Sequence, residues 1–179
     1  VDVESQRVSE EGTNVLGKDI RFTTGAEGGV EGVVKTFAGV SSRNEMSSQY
    51  NVRGGNFDEN LVYINDFEVF RPFLARAGQQ EGMSFINTAL VESIQFSAGG
   101  FDSEYGDKLS SVLDIKYKTP SDKKLHGSVL ASLLNAEAHV EQAVGARFNY
   151  LVGARYQSNG YFLNSLPTKG AYNPVYWDA

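Results

Sequence analysis

The chain has 179 residues, 41% of them hydrophobic, with a net charge of −6 and no cysteine. That is enough for one medium domain or a small domain plus an appendage, and it excludes disulfide frameworks and Cys-based metal or redox chemistry. Acidic and basic residues are interspersed with no basic block, so nucleic acid is not a partner by charge, and no run approaches the roughly 20 apolar residues of a membrane helix.

Val1–Arg7 alternates briefly and reads as a short extended segment, and the polar stretch Ser9–Asp19 as loop. The start is too polar and acidic for a signal peptide, which leaves a cytoplasmic protein or one whose leader has been removed. Thr23–Gly32 is Gly-rich but has no Gly-Lys-Ser/Thr end, so it is a turn and not a phosphate cradle. Val30, Val33, Val34 and Phe37 fall on one face of a short helix that Gly39 stops. Ser41–Gln49 is a polar loop. Tyr50–Gly54 reads as a strand, Asn56–Asn60 as a tight turn, and Leu61–Ile64 as a strand buried on both faces. Asn65-Asp66 makes a second corner, Phe67–Phe70 continues extended, and Pro72 ends it. Arg71–Phe85 is a loop of the length that is often functional. Val91–Ser97 is a strand with Ile94 and Phe96 on one face, Gly99-Gly100 breaks it, and Val112–Tyr117 is another strand.

Composition shifts at Pro120, after a hinge spanning Thr119–Lys124. From Gly127 to Glu141 the even positions are apolar or small and the later odd ones polar, which reads as one long strand. Phe148, Tyr150, Val152, Ala154 and Tyr156 repeat the pattern after a short turn. Such a hairpin exceeds the usual soluble strand of about 5–6 residues and reaches the roughly 9–11 of a membrane-spanning strand. A long soluble hairpin carries the same alternation, and the two readings stay open on pattern alone. Phe148, Tyr150 and Tyr156 would suit an interfacial aromatic girdle.

Catalytic and metal chemistry find no footing. His126 and His139 are too far apart for a local metal pair, and Asp58, Glu59, Asp66 and Glu68 miss the spacing of a calcium loop. No nucleophile–base set can be assigned. Arg53 stands apart, because it sits in an apolar strand one residue before Gly-Gly. Either it points outward, or it pairs with a carboxylate across an interface.

The pieces in order resemble the plug domain of TonB-dependent outer-membrane receptors, especially those of Bacteroidetes. The resemblance runs through Phe37-Ala38-Gly39-Val40, Val52-Arg53-Gly54, Leu61-Val62-Tyr63-Ile64-Asn65-Asp66, and Val91-Glu92-Ser93-Ile94-Gln95-Phe96. It closes on Tyr105-Gly106 and Ser111-Val112-Leu113-Asp114-Ile115, then Lys118. Ser97-Ala98 stands where the family has Arg-Gly, Pro is missing before Gly39, and Asn65-Asp66 replaces Asp-Gly.

The resemblance implies an α+β plug domain, a small mixed sheet with short helices, over residues 1–119. Residues 120–179 would be the first antiparallel strands, a hairpin, of a transmembrane β-barrel. Asn173–Ala179 resembles a periplasmic turn entering a third strand. A barrel of about 22 strands at about 10 residues each is far longer, so 179 residues would be part of a larger receptor. By the same resemblance the protein sits in the Gram-negative outer membrane and gates uptake of a scarce nutrient. A receptor-like scaffold without transport is the alternative.

The plug loops facing the nutrient would present Arg43, Asn44 and Glu45, then Arg71, Phe73, Arg76, Gln79, Gln80 and Glu81. Arg53 would carry the plug–barrel ion pair. Val1, Asp2, Val3, Glu4 and Ser5, within residues 1–8, would be the end of the TonB box. Partners implied are TonB with the inner-membrane energising complex, the nutrient, outer-membrane lipid and, in some arrangements, a surface lipoprotein. No cofactor, metal or catalytic residue is implied.

Overall fold

The computed structural model describes residues 12–20, 29–43, 47–70, 72, 84–132, 135–145, 147–158 and 175–179. The chain falls into two compact units, Val1–Tyr117 and Lys118–Ala179.

The first unit opens with strand β1 (Thr13–Leu16) and a single helical turn α1 (Gly17–Ile20). Both lie in the stretch whose polarity suggests loop. Pairing overrides composition here: β1 is laid antiparallel on β6 (Val91–Ser97), with Thr13 opposite Phe96 and Leu16 opposite Ser93. Gly17 follows because a Cβ there would strike the Val91 carbonyl.

Helix α2 (Val30–Val34) buries Val30, Val33 and Val34 as its periodicity requires, and Phe37 packs against the same core. It is only five residues long, and Gly39, with φ of 83°, turns the chain away. The next elements are β2 (Val40–Ser41), β3 (Asn51–Val52), β4 (Asn60–Ile64) and β5 (Phe67–Glu68), with a 3-10 turn at Phe57–Glu59 ahead of β4. A second 3-10 turn, capped by the Asn87 side chain accepting from the Ala89 amide, leads into β6, and β7 (Ser111–Tyr117) completes the unit.

The main sheet has the order β1-β6-β7-β4-β5. It is mixed, because β4 runs parallel to β7 while the other neighbours are antiparallel. A strand hydrogen-bonded on both edges and covered on both faces needs continuous apolar sequence. Accordingly Leu61 and Val62 of β4 are buried, as are Val112, Leu113 and Ile115 of β7, where a buried Asp114 breaks the apolar run and is bridged by Lys116. Leu113 and Ile115 join Val34, Ile94 and Phe96 in the core between α2 and the sheet. Asn65 and Asp66 take φ of 47° and 69°, the double left-handed turn that joins two antiparallel strands in register, here Ile64 opposite Phe67. Asn65 Oδ1 accepts from the Tyr117 amide at 2.9 Å. Lys116 bridges Asp66 at 2.5 Å and Asp114 at 3.2 Å.

The second unit is a four-stranded antiparallel sheet of order β11-β10-β9-β8. Its strands are β8 (His126–Ala131), β9 (Asn135–Val144), β10 (Phe148–Ser158) and β11 (Val175–Asp178). The single strand expected from Gly127 to Glu141 is therefore two, and the unit holds more than one hairpin. The chain reverses between Ser132 and Asn135: the Ser132 amide donates to the Asn135 carbonyl at 2.7 Å, and the Asn135 amide to Ser132 Oγ at 3.1 Å. Serine and asparagine side chains close the turn without glycine or proline. The reversal also swaps parity. Val129 and Ala138 pair on one face, Leu130 and Glu137 on the other, so the even-numbered residues do not share a face throughout.

Candidate functional site

Arg53 is not within β3 but in the turn after it, with φ of 48°. Its amide donates to the Gly39 carbonyl at 2.8 Å, and Gly55 N closes the turn on the Val52 carbonyl at 2.8 Å. The side chain is exposed and crosses two glycines. A Cβ at Gly39 would lie 3.3 Å from Arg53 Cγ, and one at Gly99 would lie 3.3 Å from Nη1. Both glycines are themselves left-handed, at 83° and 77°. A long cation is thus held in an unfavourable backbone conformation on a floor cleared of side chains, and no described residue forms an ion pair with it. Strain of this kind persists where the surroundings over-determine it, as at binding sites.

The loop that follows β2 is tied at its base. Val40 and Ser41 pair with Val52 and Asn51, Ser42 Oγ donates to the Gln49 carbonyl at 3.2 Å, and Lys35 Nζ donates to the Ser47 carbonyl. Arg43 is exposed at the start of this loop. Asn44 and Glu45 lie outside the described residues, as do Arg71, Phe73, Arg76, Gln79, Gln80 and Glu81, and Val1, Asp2, Val3, Glu4 and Ser5.

Pro72 and Phe85 line a small, mostly apolar cavity together with Glu31, Tyr50 and Asn60. Burial, then the Glu31 carboxylate, holds the Tyr50 hydroxyl well above the ordinary tyrosine pKa, with Ser111 opposing. Asn60 fixes the cavity wall: its Nδ2 donates to the Tyr50 carbonyl at 2.8 Å and its Oδ1 accepts from Ser111 Oγ at 2.8 Å. This arrangement ties the start of β4 to the start of β7. Among the described residues there is no group of His, Asp and Glu that could hold a metal ion.

The second unit inverts the usual polarity of a sheet. Glu137, His139, Arg155 and Gln157 are buried, while Val129, Val140, Val144, Phe148, Val152, Tyr156 and Trp177 are exposed. Arg155 donates to Asp178 Oδ2 at 2.7 Å, the Tyr176 hydroxyl donates to the same oxygen at 2.9 Å, and the guanidinium lies 5.4 Å over the Tyr176 ring. Glu137 is the cross-strand partner of Arg155 in register. In water, such a face would leave the apolar side wet and the charged side dry, the reverse of what burial favours. In lipid around a polar lumen, the same arrangement satisfies both faces. Sequence periodicity located the alternation but not this network, because Asp178 and Arg155 are paired only by the β10–β11 register. No helix among the described residues is long and apolar enough to cross a membrane.

Comparison with known proteins places these features. Residues 14–111 match the TonB-dependent Receptor Plug Domain. No curated protein matches the chain. Two crystal structures of variants of the ferric enterobactin receptor from Pseudomonas aeruginosa, in complex with enterobactin, share its fold. One gives a TM-score of 0.58 at 15% identity, covering 88% of this chain and 26% of the receptor. The other gives 0.55 at 16% identity, covering 86% and 26%. The chain thus spans about a quarter of the length of those receptors.

Proposed function

Because the chain belongs to the TonB-dependent receptor plug domain family, we propose that it is the gating front of an outer-membrane nutrient transporter. In this reading residues 1–119 are the plug and residues 120–179 begin the barrel wall. The observation that carries it is the plug sheet followed by strands with charged residues buried and apolar residues exposed. The lengths of β9 and β10, 10 and 11 residues, agree with the roughly 9–11 residues of a tilted membrane strand.

The nutrient binds at the barrel mouth against Arg43, Asn44 and Glu45 of one loop and Arg71, Phe73, Arg76, Gln79, Gln80 and Glu81 of the other. Two loops rich in arginine and amide donors suit an anionic or hydrogen-bonding ligand. Arg53 meets a carboxylate of the barrel wall, which gives the strained turn its purpose. TonB, driven by the inner-membrane complex, engages the segment that includes Val1–Ser5 and pulls. That load reaches β1, an edge strand of four residues whose neighbour in the described sheet is β6. A short edge strand is among the first parts of a domain to open, so displacement begins at β1 and opens a path past the core of α2, β6 and β7.

The test is deletion of Val1–Ser5 with its upstream neighbours in the full receptor. Accumulation of a labelled nutrient that the receptor binds falls to the unenergised level, while surface binding stays intact. Unchanged accumulation would overturn the coupling. Binding without any accumulation in the intact receptor would instead mark a surface scaffold.

A further inference from the structure

Eight residues, Lys118 to Leu125, separate β7 from β8. Their composition reads as a polar hinge, but the segment is fastened to β9 at Lys118 and again at Asp122–Lys123. Lys118 Nζ lies 3.6 Å from Glu141 Oε2 and 3.3 Å from His139 Nε2. An ammonium has only protons to give, so this ring nitrogen accepts and the other one, Nδ1, carries the hydrogen that meets Ser128 Oγ at 3.0 Å. Lower down, the Ala143 amide donates to the Asp122 carbonyl at 2.8 Å, and Gln142 Nε2 donates to the Lys123 carbonyl at 2.9 Å. Asp122 closes its own turn by accepting from the Lys124 amide at 3.0 Å and meeting His126 Nε2 at 2.9 Å.

We propose that Lys118–Leu125 is a bracket, with Lys118 as its anchor, that fixes the start of the second unit to β9 and leaves no slack in the connection. Its mechanical role rests on the transport reading above. An unfastened stretch of eight residues reaches at most about 26–29 Å when fully extended, and it would straighten toward that length before the wall felt any load. With the bracket closed, tension arriving through Tyr117 meets β9 at Lys118. Displacement is then confined to the N-terminal side of the plug, while the β7 end stays at the wall.

The test uses the full receptor in lipid and reads hydrogen exchange at the Ala143 amide and across residues 119–125. Lys118→Met removes the charge and keeps the stem; exchange there is expected to rise about tenfold, the scale of one charged, partly buried contact. Lys118→Arg is expected to stay near wild type. Where Lys118→Met does not fold, Glu141→Gln carries the same test. Exchange equal to wild type in the folded variant would overturn the bracket. This readout needs neither nutrient nor energising complex, so it stands apart from the transport reading. Energised uptake is expected to fall several-fold in the loosened variant; loosened exchange with unchanged uptake would overturn the mechanical role alone.

Discussion

Arg53 offers a separation of backbone strain from side-chain purpose. In the left-handed region at φ of 48°, a residue with a Cβ costs about 1 kcal/mol more than glycine, even after glycine's larger unfolded-state entropy. Arg53→Gly removes both strain and guanidinium, whereas Arg53→Ala removes only the guanidinium. If a carboxylate of the wall meets Arg53, stranding it costs about 3–5 kcal/mol. Arg53→Ala should then lose about that much, and Arg53→Gly about 1 kcal/mol less. The assay is a urea titration of the full receptor, with plug opening followed by exchange of the β6 amides. An Arg53→Ala variant within about 0.5 kcal/mol of wild type, with Arg53→Gly more stable than wild type, would refute the pairing. Identical alanine and glycine variants would refute the strain argument.

Ile94 is fully buried in β6, between β1 and β7, so Ile94→Ala should lower plug stability by about 2–5 kcal/mol, read in the same titration. Val152 lies near the middle of β10 on the exposed face; Val152→Arg should cost about 2–4 kcal/mol in lipid, against about 0–1 for Tyr156→Arg nearer the strand end, measured by reversible folding into bilayers. The Asp122 carboxyl accepts the Lys124 amide and meets His126, which hold its pKa below the usual aspartate value. A depressed folded pKa gives stability that is complete above the unfolded value of about 3.9 and is lost as pH falls through the lower folded pKa. A carboxyl ¹³C titration should therefore place the Asp122 midpoint below that of an unstructured aspartate, and a midpoint at or above it would contradict the turn.

Much of the plug was legible because its signals are local. The continuous apolar run Leu61–Ile64 and the strand Val112–Tyr117 become neighbours in the mixed sheet, and Asn65-Asp66 carries its own turn chemistry. β1 was not legible: Thr13-Asn14-Val15-Leu16 has little strand character of its own, and its conformation comes from the ladder to β6. The Ser132–Asn135 reversal was hidden because Leu133-Leu134 continues an apolar alternation that side-chain hydrogen bonds interrupt. Alternation in Phe148–Gln157 was plain, yet the same period fits a soluble hairpin. Only the burial of Arg155 and Gln157 against the exposure of Val152 and Tyr156 says which face is dry. Arg53 drew attention by its place before Gly-Gly, but its left-handed backbone and glycine floor depend on Gly39 and Gly99, distant in sequence.

The most direct test of the central claim is the environment of the exposed face of β10. Nitroxide labels placed singly at Val152 and Gly153 in the lipid-reconstituted receptor would be probed with oxygen, which concentrates in hydrocarbon, and with a water-soluble nickel complex. At Val152 the label should be open to oxygen and shielded from nickel, and at Gly153 shielded from oxygen. A Val152 label as accessible to nickel as one in an exposed plug turn would place that face in water and contradict the account.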